Sequence, residues 1–162
     1  MKKFRVTQSF DAPTHAVAEA FRSETTWQGF SGLPFVGTPS VQSFVDAEPV
    51  EIDMAYKVSI DLPALAEKFI DPDKMTFVER THLASDGTGK FTIIPDHYTK
   101  LLKAAGRVEI VTIDDRACER HIHGSVDVSL GWSGMLFESP VEDAIVNGLS
   151  QALRAQAAQI SW

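Results

Sequence analysis

The sequence predicts an α+β fold in which a sheet of meandering strands is closed by a long C-terminal helix. Two observations carry this. Seven segments show the two-residue apolar period of half-buried strands. The last segment, about Pro140 to Ile160, shows instead the wider spacing of an amphipathic helix. At 1.5 Å per residue that helix is about 30 Å long, and its evident place is the concave side of the sheet. Such an arrangement leaves room for a cavity between helix and sheet, expected at roughly 300–1,000 Å³ if it is a ligand pocket.

The elements follow in order. Phe4, Val6, Gln8 and Phe10 alternate with polar residues and form the first strand, which Asp11-Ala12-Pro13 stops. Pro13 suits the first turn of a helix running to about Arg22, because its missing N–H is not needed there. Thr25 to Gly32 carries a second short helical turn with Trp27 and Phe30. Strands follow at Val41–Ala47 and Ile52–Asp61, the latter with Ile52, Met54, Tyr56, Val58 and Ile60 on one face. Pro63 to Ile70 reads as a helical turn. Strands at Met75–Ala84 and Lys90–Ile94 flank Asp86-Gly87, a hairpin signal because Gly tolerates positive φ. Pro95 to Gly106 reads as a short helix or a flap, since Tyr98, Leu101, Leu102 and Ala105 have helical spacing. Val108–Ile113 and Cys118–Leu130 form the last hairpin, turned at Asp114-Asp115-Arg116. In the closing helix Ser139 is expected as N-cap, with Glu142 completing a capping box. Val141, Ile145, Leu149, Leu153, Ala157 and Ile160 are its apolar stripe.

Composition narrows the function classes. The chain has 162 residues, 44% hydrophobic and 23% charged, which suits one domain spanning 1–162. A net charge of −7 argues against nucleic acid and anionic membrane surfaces, both of which need clustered Lys and Arg. No apolar run reaches the ~18 residues of a membrane span, so no stable membrane insertion is expected. The opening MKKFRVTQSF lacks the apolar core of a signal peptide. The one cysteine, Cys118, cannot form an internal disulfide, and a reducing, cytoplasmic location fits best. Monomer and homodimer both remain open.

The order strand, two short helices, six strands, long helix resembles the helix-grip fold of the START-like or SRPBCC superfamily. Closer still, the chain is similar to an actinobacterial branch of it, the domain of unknown function 2505. The residues that carry this are Phe4-Arg5-Val6 leading to Asp11-Ala12-Pro13, Tyr56-Lys57-Val58 running into Leu62-Pro63, and Ser139-Pro140-Val141-Glu142 with its helix. The resemblance implies a seven-stranded antiparallel sheet wrapped around the last helix, with an apolar cavity between them. It transfers no catalytic residue and implies no cofactor. It suggests a small hydrophobic molecule as partner and binding, transport or sequestration as function. A cyclase/aromatase-type enzyme and a protein-interaction domain are the alternatives.

The expected pocket is lined from Tyr56, Val58, Phe77, Ile122, Val126, Leu149 and Leu153, with Tyr98 near its mouth. Two charges fall in apolar registers: Arg120 in phase with Ile122 and Val126, and Glu79 in phase with Phe77 and Leu83. Either both lie in water near strand ends or a bulge, or they face the cavity as an ion pair or as a grip on a ligand carboxylate. His121 and His123 share one strand face, as in some metal sites, but the apolar register turns that face to solvent. No third ligand is evident beside them, so no metal is expected. His82 is also expected outward. There is no Ser-His-Asp context, Gly-rich phosphate loop, HExxH or CxxC. Trp27, Trp132 and Phe137 are core candidates.

Overall fold

The computed structural model describes residues 1–162. Strand β1 spans Lys2–Phe10, followed by helices α1 (Thr14–Phe21) and α2 (Glu24–Gln28). Strands β2 (Ser40–Val45), β3 (Val50–Lys57), β4 (Thr76–Leu83), β5 (Gly89–Pro95), β6 (Leu102–Asp114) and β7 (Ala117–Val128) follow. Helix α3, Glu138–Ala158, closes the chain. The seven strands form one antiparallel sheet in the order β1-β7-β6-β5-β4-β3-β2, so β2 to β7 form a meander and β1 adds to its far side. This is the START-like helix-grip fold expected from the element order. No helix is long and apolar enough to cross a membrane.

Alternation sets the two faces of the sheet. Phe4, Val6, Gln8 and Phe10 of β1 are buried while Arg5, Thr7 and Ser9 are exposed. Val50, Ile52, Met54 and Tyr56 do the same on β3. Against this inner face lies α3, packed on β1 and β7. Trp27 is 1% exposed and donates its indole N–H to the Phe21 carbonyl at 2.7 Å, which anchors α2 beneath the sheet edge.

Three expectations are corrected. The stretch expected as a helix or flap is a turn followed by strand. Leu101 and Leu102 donate N–H groups to the Tyr98 carbonyl at 2.8 and 3.2 Å, which accounts for the helical spacing there. From Leu102 the chain pairs with β7, with Ala104 opposite Val126 and Val108 opposite Ile122. A two-residue period of small residues carries no strong apolar signal, so the strand was hidden.

The closing helix starts earlier than its sequence signals. A 3-10 turn at Trp132–Phe137 runs directly into α3, and Ser139 makes no capping hydrogen bond. Glu138 and Glu142, one turn apart, instead accept the N–H groups of Leu130 and Val128 at 2.9 and 3.0 Å. They tie the helix to the end of β7, a use the capping-box pattern does not reveal. Trp132 is 94% exposed rather than core, because the 3-10 turn carries it out beyond the sheet.

Candidate functional site

The inner face places a set of polar side chains in an otherwise apolar chamber. β3 and β4 bring Tyr56 opposite Phe77, with the rings stacked at 5.2 Å. Two residues further along β4 comes Glu79, then Thr81, both on the same face. β7 contributes Arg120 and Ile122, and α3 contributes Leu149, Ala152, Leu153 and Gln156. The Phe4 and Phe91 rings cover the backbones of Gly124 and Gly106, the two glycines facing each other across β6 and β7. A side chain at either glycine would collide with the ring that walls the chamber.

The interior space is smaller than the sequence led us to expect. The main chamber has about 50 Å³ of free space, room for only a few waters. Two further chambers of about 30 and 20 Å³ continue toward the other end of the sheet. Phe77 lines all three. Leu149 and Ile93 stand between the main and smallest chambers, and Met75, Leu102 and Ile145 between the smallest and the third. The space is thus one channel partitioned by apolar side chains.

Arg120, 3% exposed, and the half-buried Glu79 both face this space. They do not form an ion pair. The Arg120 guanidinium donates from Nη1 to Gln8 Oε1 at 2.9 Å and lies over the Phe21 ring at 3.9 Å. Gln8 in turn donates to the Leu153 carbonyl and to Gln156 Oε1, the latter at 3.2 Å. Thr81 Oγ1 donates to Glu79 Oε1 at 3.0 Å. The guanidinium is therefore held by neutral partners, and Gln8 is its one hydrogen-bonding partner among protein groups.

Burial dominates the ionisation of this group of residues. It lowers the pKa of Arg120 to about 10, against the opposing attraction of Glu79 and Tyr56. It raises that of Glu79, although the Thr81 hydrogen bond and the Arg120 charge act in the other direction. It pushes Tyr56 well above its ordinary value, reinforced by the Glu79 charge.

The remaining expected residues fall as follows. Val58 lines the smallest chamber and Tyr98 the third. Tyr98, with φ of 57°, also accepts the Asp71 N–H at its hydroxyl at 2.8 Å, so it ties the turn before β6 to the loop before β4. Val126 is fully buried and lines none of the three chambers, because it sits where α3 packs on β7; it is core rather than site. The sequence reading missed Gln8, whose place in a strand of alternating residues was visible but whose partner on β7 was not. His82 lies on the outer face beside Glu51 at 2.8 Å, as expected. His121 and His123 are also outward, but a third candidate ligand does accompany them: Glu109 of β6, directly opposite His121.

Residues 5–162 match the sequence profile of a family described as Protein of unknown function (DUF2505). The chain belongs to that family. No curated protein matches it significantly. Among solved structures, the family member is similar to the Zhui aromatase/cyclase from Streptomyces sp. R1128, with a TM-score of 0.69 at 10% identity over 98% of this chain and 92% of that one. It is similar to a START superfamily protein from Mycobacterium smegmatis, with a TM-score of 0.55 at 13% identity over 98% and 99%. It is also similar to a norcoclaurine synthase from Thalictrum flavum, with a TM-score of 0.56 at 10% identity over 98% and 94%. At these identities the likeness is one of fold.

Proposed function

We propose that this chain is a single-domain, cytoplasmic protein that binds a small amphipathic molecule in the partitioned channel, with the acceptor group of the ligand on Arg120. The observation that carries this reading is a buried guanidinium, 3% exposed, with one protein hydrogen bond and the rest of its donor edge beside an apolar chamber. A guanidinium has five N–H donors. Gln8 takes one of them, and leaving the others unused in an apolar interior costs free energy that a carboxylate or carbonyl oxygen would recover. Binding, transport or sequestration of a lipid-like or polyketide-like compound follows from such a site. The chambers are small, so Phe77 and Leu149 move aside to admit the apolar part.

The test is native mass spectrometry of freshly purified protein, followed by titration with a medium-chain fatty acid and its methyl ester. We expect the acid to bind more tightly than the ester, and Arg120→Met to weaken the acid at least ~10-fold while leaving the ester unchanged. Equal affinity for acid and ester, or no binding of either, overturns the reading.

A second reading is favoured by Glu79. A carboxyl group whose pKa is raised by burial, close in register to Tyr56 and sharing a chamber with Arg120, is suited to proton transfer. That would make the protein an enzyme of the type seen in its aromatase/cyclase structural neighbour. Turnover of a poly-β-keto thioester that is lost in Glu79→Gln, with binding retained, would separate this reading from binding alone.

A further inference from the structure

The outer face of the sheet carries a group that the cavity does not use. His121 and His123 alternate outward on β7, and Glu109 of β6 lies opposite His121. The ligand atoms of the three residues lie within 4.8 Å of one another. Glu109 Oε1 is 3.4 Å from His123 Nε2 and 3.9 Å from His121 Nδ1. Zinc–nitrogen bonds of about 2.0–2.1 Å in a tetrahedron set donor atoms roughly 3.3 Å apart, a spacing that Glu109 and His123 already have and that His121 reaches by drawing in.

Two details aim these atoms at a cation. His121 Nε2 lies 2.7 Å from Glu119 Oε2, and His121 Nδ1 lies 3.2 Å from Arg5 Nη2. A carboxylate only accepts and a guanidinium only donates. With Nε2 against the Glu119 carboxylate and Nδ1 against the Arg5 guanidinium, the ring presents Nδ1 as its acceptor nitrogen, 3.9 Å from Glu109 Oε1. A carboxylate behind a ligating histidine is the usual support of a metal-bound imidazole. The second detail is His123 Nε2, which is buried and has no hydrogen-bond partner. The Arg5 charge, against His121 Nδ1, stands where a cation would approach.

The geometry points to a divalent transition-metal site formed by Glu109, His121 and His123, which takes zinc when the Arg5 guanidinium swings into solvent. Two imidazoles and a carboxylate suit zinc, and three protein ligands leave a fourth position open to water. Glu119 is a positioning residue. Arg5 and Arg107, the register partners of His123 on either side, oppose the metal's charge, while Glu109 and Glu119 favour it. The site is independent of the cavity and of what the cavity binds.

The experiment is titration of chelator-stripped protein with zinc chloride by calorimetry, and with cobalt chloride followed by visible absorption. We expect one zinc per chain and a cobalt spectrum of tetrahedral intensity. His123→Ala and Glu109→Gln should each weaken zinc at least ~10-fold, and Glu119→Gln should weaken it less without changing the stoichiometry. Arg5→Ala should tighten it several-fold, a result that a purely structural Arg5–His121 contact would not give. His82→Ala should change nothing. All of these residues lie on the outer face, and thermal melts of the metal-free variants matching the wild type establish that they fold. Zinc affinity unchanged in both His123→Ala and Glu109→Gln, or a stoichiometry that falls with His82→Ala instead, overturns the site.

Discussion

The Phe35 ring lies directly on the backbone of Gly148, in the space that a β-carbon there would occupy. Phe35 adopts a φ of 71°, and its carbonyl accepts the Ser59 N–H at 2.7 Å, so the loop after α2 is fixed against α3 at the edge of the smallest chamber. A glycine in mid-helix ordinarily costs about 1 kcal/mol relative to alanine. Here it allows a close approach between helix and loop. Gly148→Ala should therefore destabilise the protein by about 1–3 kcal/mol, the usual range for overpacking, despite the better helix propensity of alanine. In a Phe35→Ala background the same substitution should be neutral or stabilising. Urea unfolding of the four proteins in this cycle checks it, and a Gly148→Ala protein more stable than the wild type would refute the packing argument.

Arg120→Met should leave stability within about 1–2 kcal/mol of the wild type. A pKa lowered to about 10 means that burial disfavours the charge, on the order of 3 kcal/mol. Its removal also loses the stacking on Phe21, roughly 1–2 kcal/mol, and strands the oxygen of Gln8, roughly 1–3 kcal/mol. These contributions nearly cancel because Arg120 has no ionic partner. Had it formed a buried bridge with Glu79, the loss would be about 3–5 kcal/mol. Denaturant unfolding at neutral pH decides between the two. The sign of the pH dependence is also fixed: the folded pKa is depressed, so the wild type gains stability relative to Arg120→Met as pH rises above about 10.

Glu79 predicts a pH dependence at the acid end. Its folded pKa lies above the ordinary value of 4.5 because burial outweighs Thr81 and Arg120. The folded state therefore holds the proton more tightly than the unfolded chain. The stability this contributes is fully present below pH 4.5 and is lost as pH rises through the raised folded pKa. Glu79→Gln, which mimics the protonated acid, should melt close to the wild type at pH 4 and higher than it at neutral pH. A variant that melts lower than the wild type at neutral pH would show that the ionised carboxylate stabilises the fold.

Much of this architecture was legible because strand alternation is a strong signal when one face is fully buried. β1, β3 and the centre of β7 show it in Phe4 to Phe10, Ile52 to Tyr56 and Arg120 to Val126. The start of β6 was not legible, because Ala104 and Gly106 bury little area and give no period. The inward register of Arg120 and Glu79 was readable, but the neutral partners of Arg120 were not. Gln8 and Phe21 reach it from other elements, through strand pairing and the seating of α1. Glu109 was hidden for a sharper reason. A register shift between Thr112 and Asp114 moves the β6–β7 pairing by one residue near the turn. Without that bulge Glu109 would fall opposite Ile122, and the two histidines would have no carboxylate across from them.

The closing helix gives the last prediction. Its sequence stripe puts Ile145, Leu149 and Leu153 on the core side as equals. In the structure the buried line runs through Val141, Ile145, Gly148, Ala152 and Gln156, while Leu149 and Leu153 flank it half-buried at the chamber wall. The small residues Gly148 and Ala152 pull the helix axis in toward Phe35 and β1, which rotates the leucines toward the channel. Ile145, 6% exposed and closely packed in the wall between the two smaller chambers, should cost about 2–5 kcal/mol as Ile145→Ala. Leu153→Ala should cost much less, roughly 1 kcal/mol, because its side chain already borders free space and buries less area. The same change enlarges the main chamber, so a medium-chain acid should bind Leu153→Ala more tightly than the wild type. Paired unfolding and titration of the two variants test the rotation directly: equal losses of stability would place the leucine stripe back in the core, and Leu153 would then not be a wall of the main chamber.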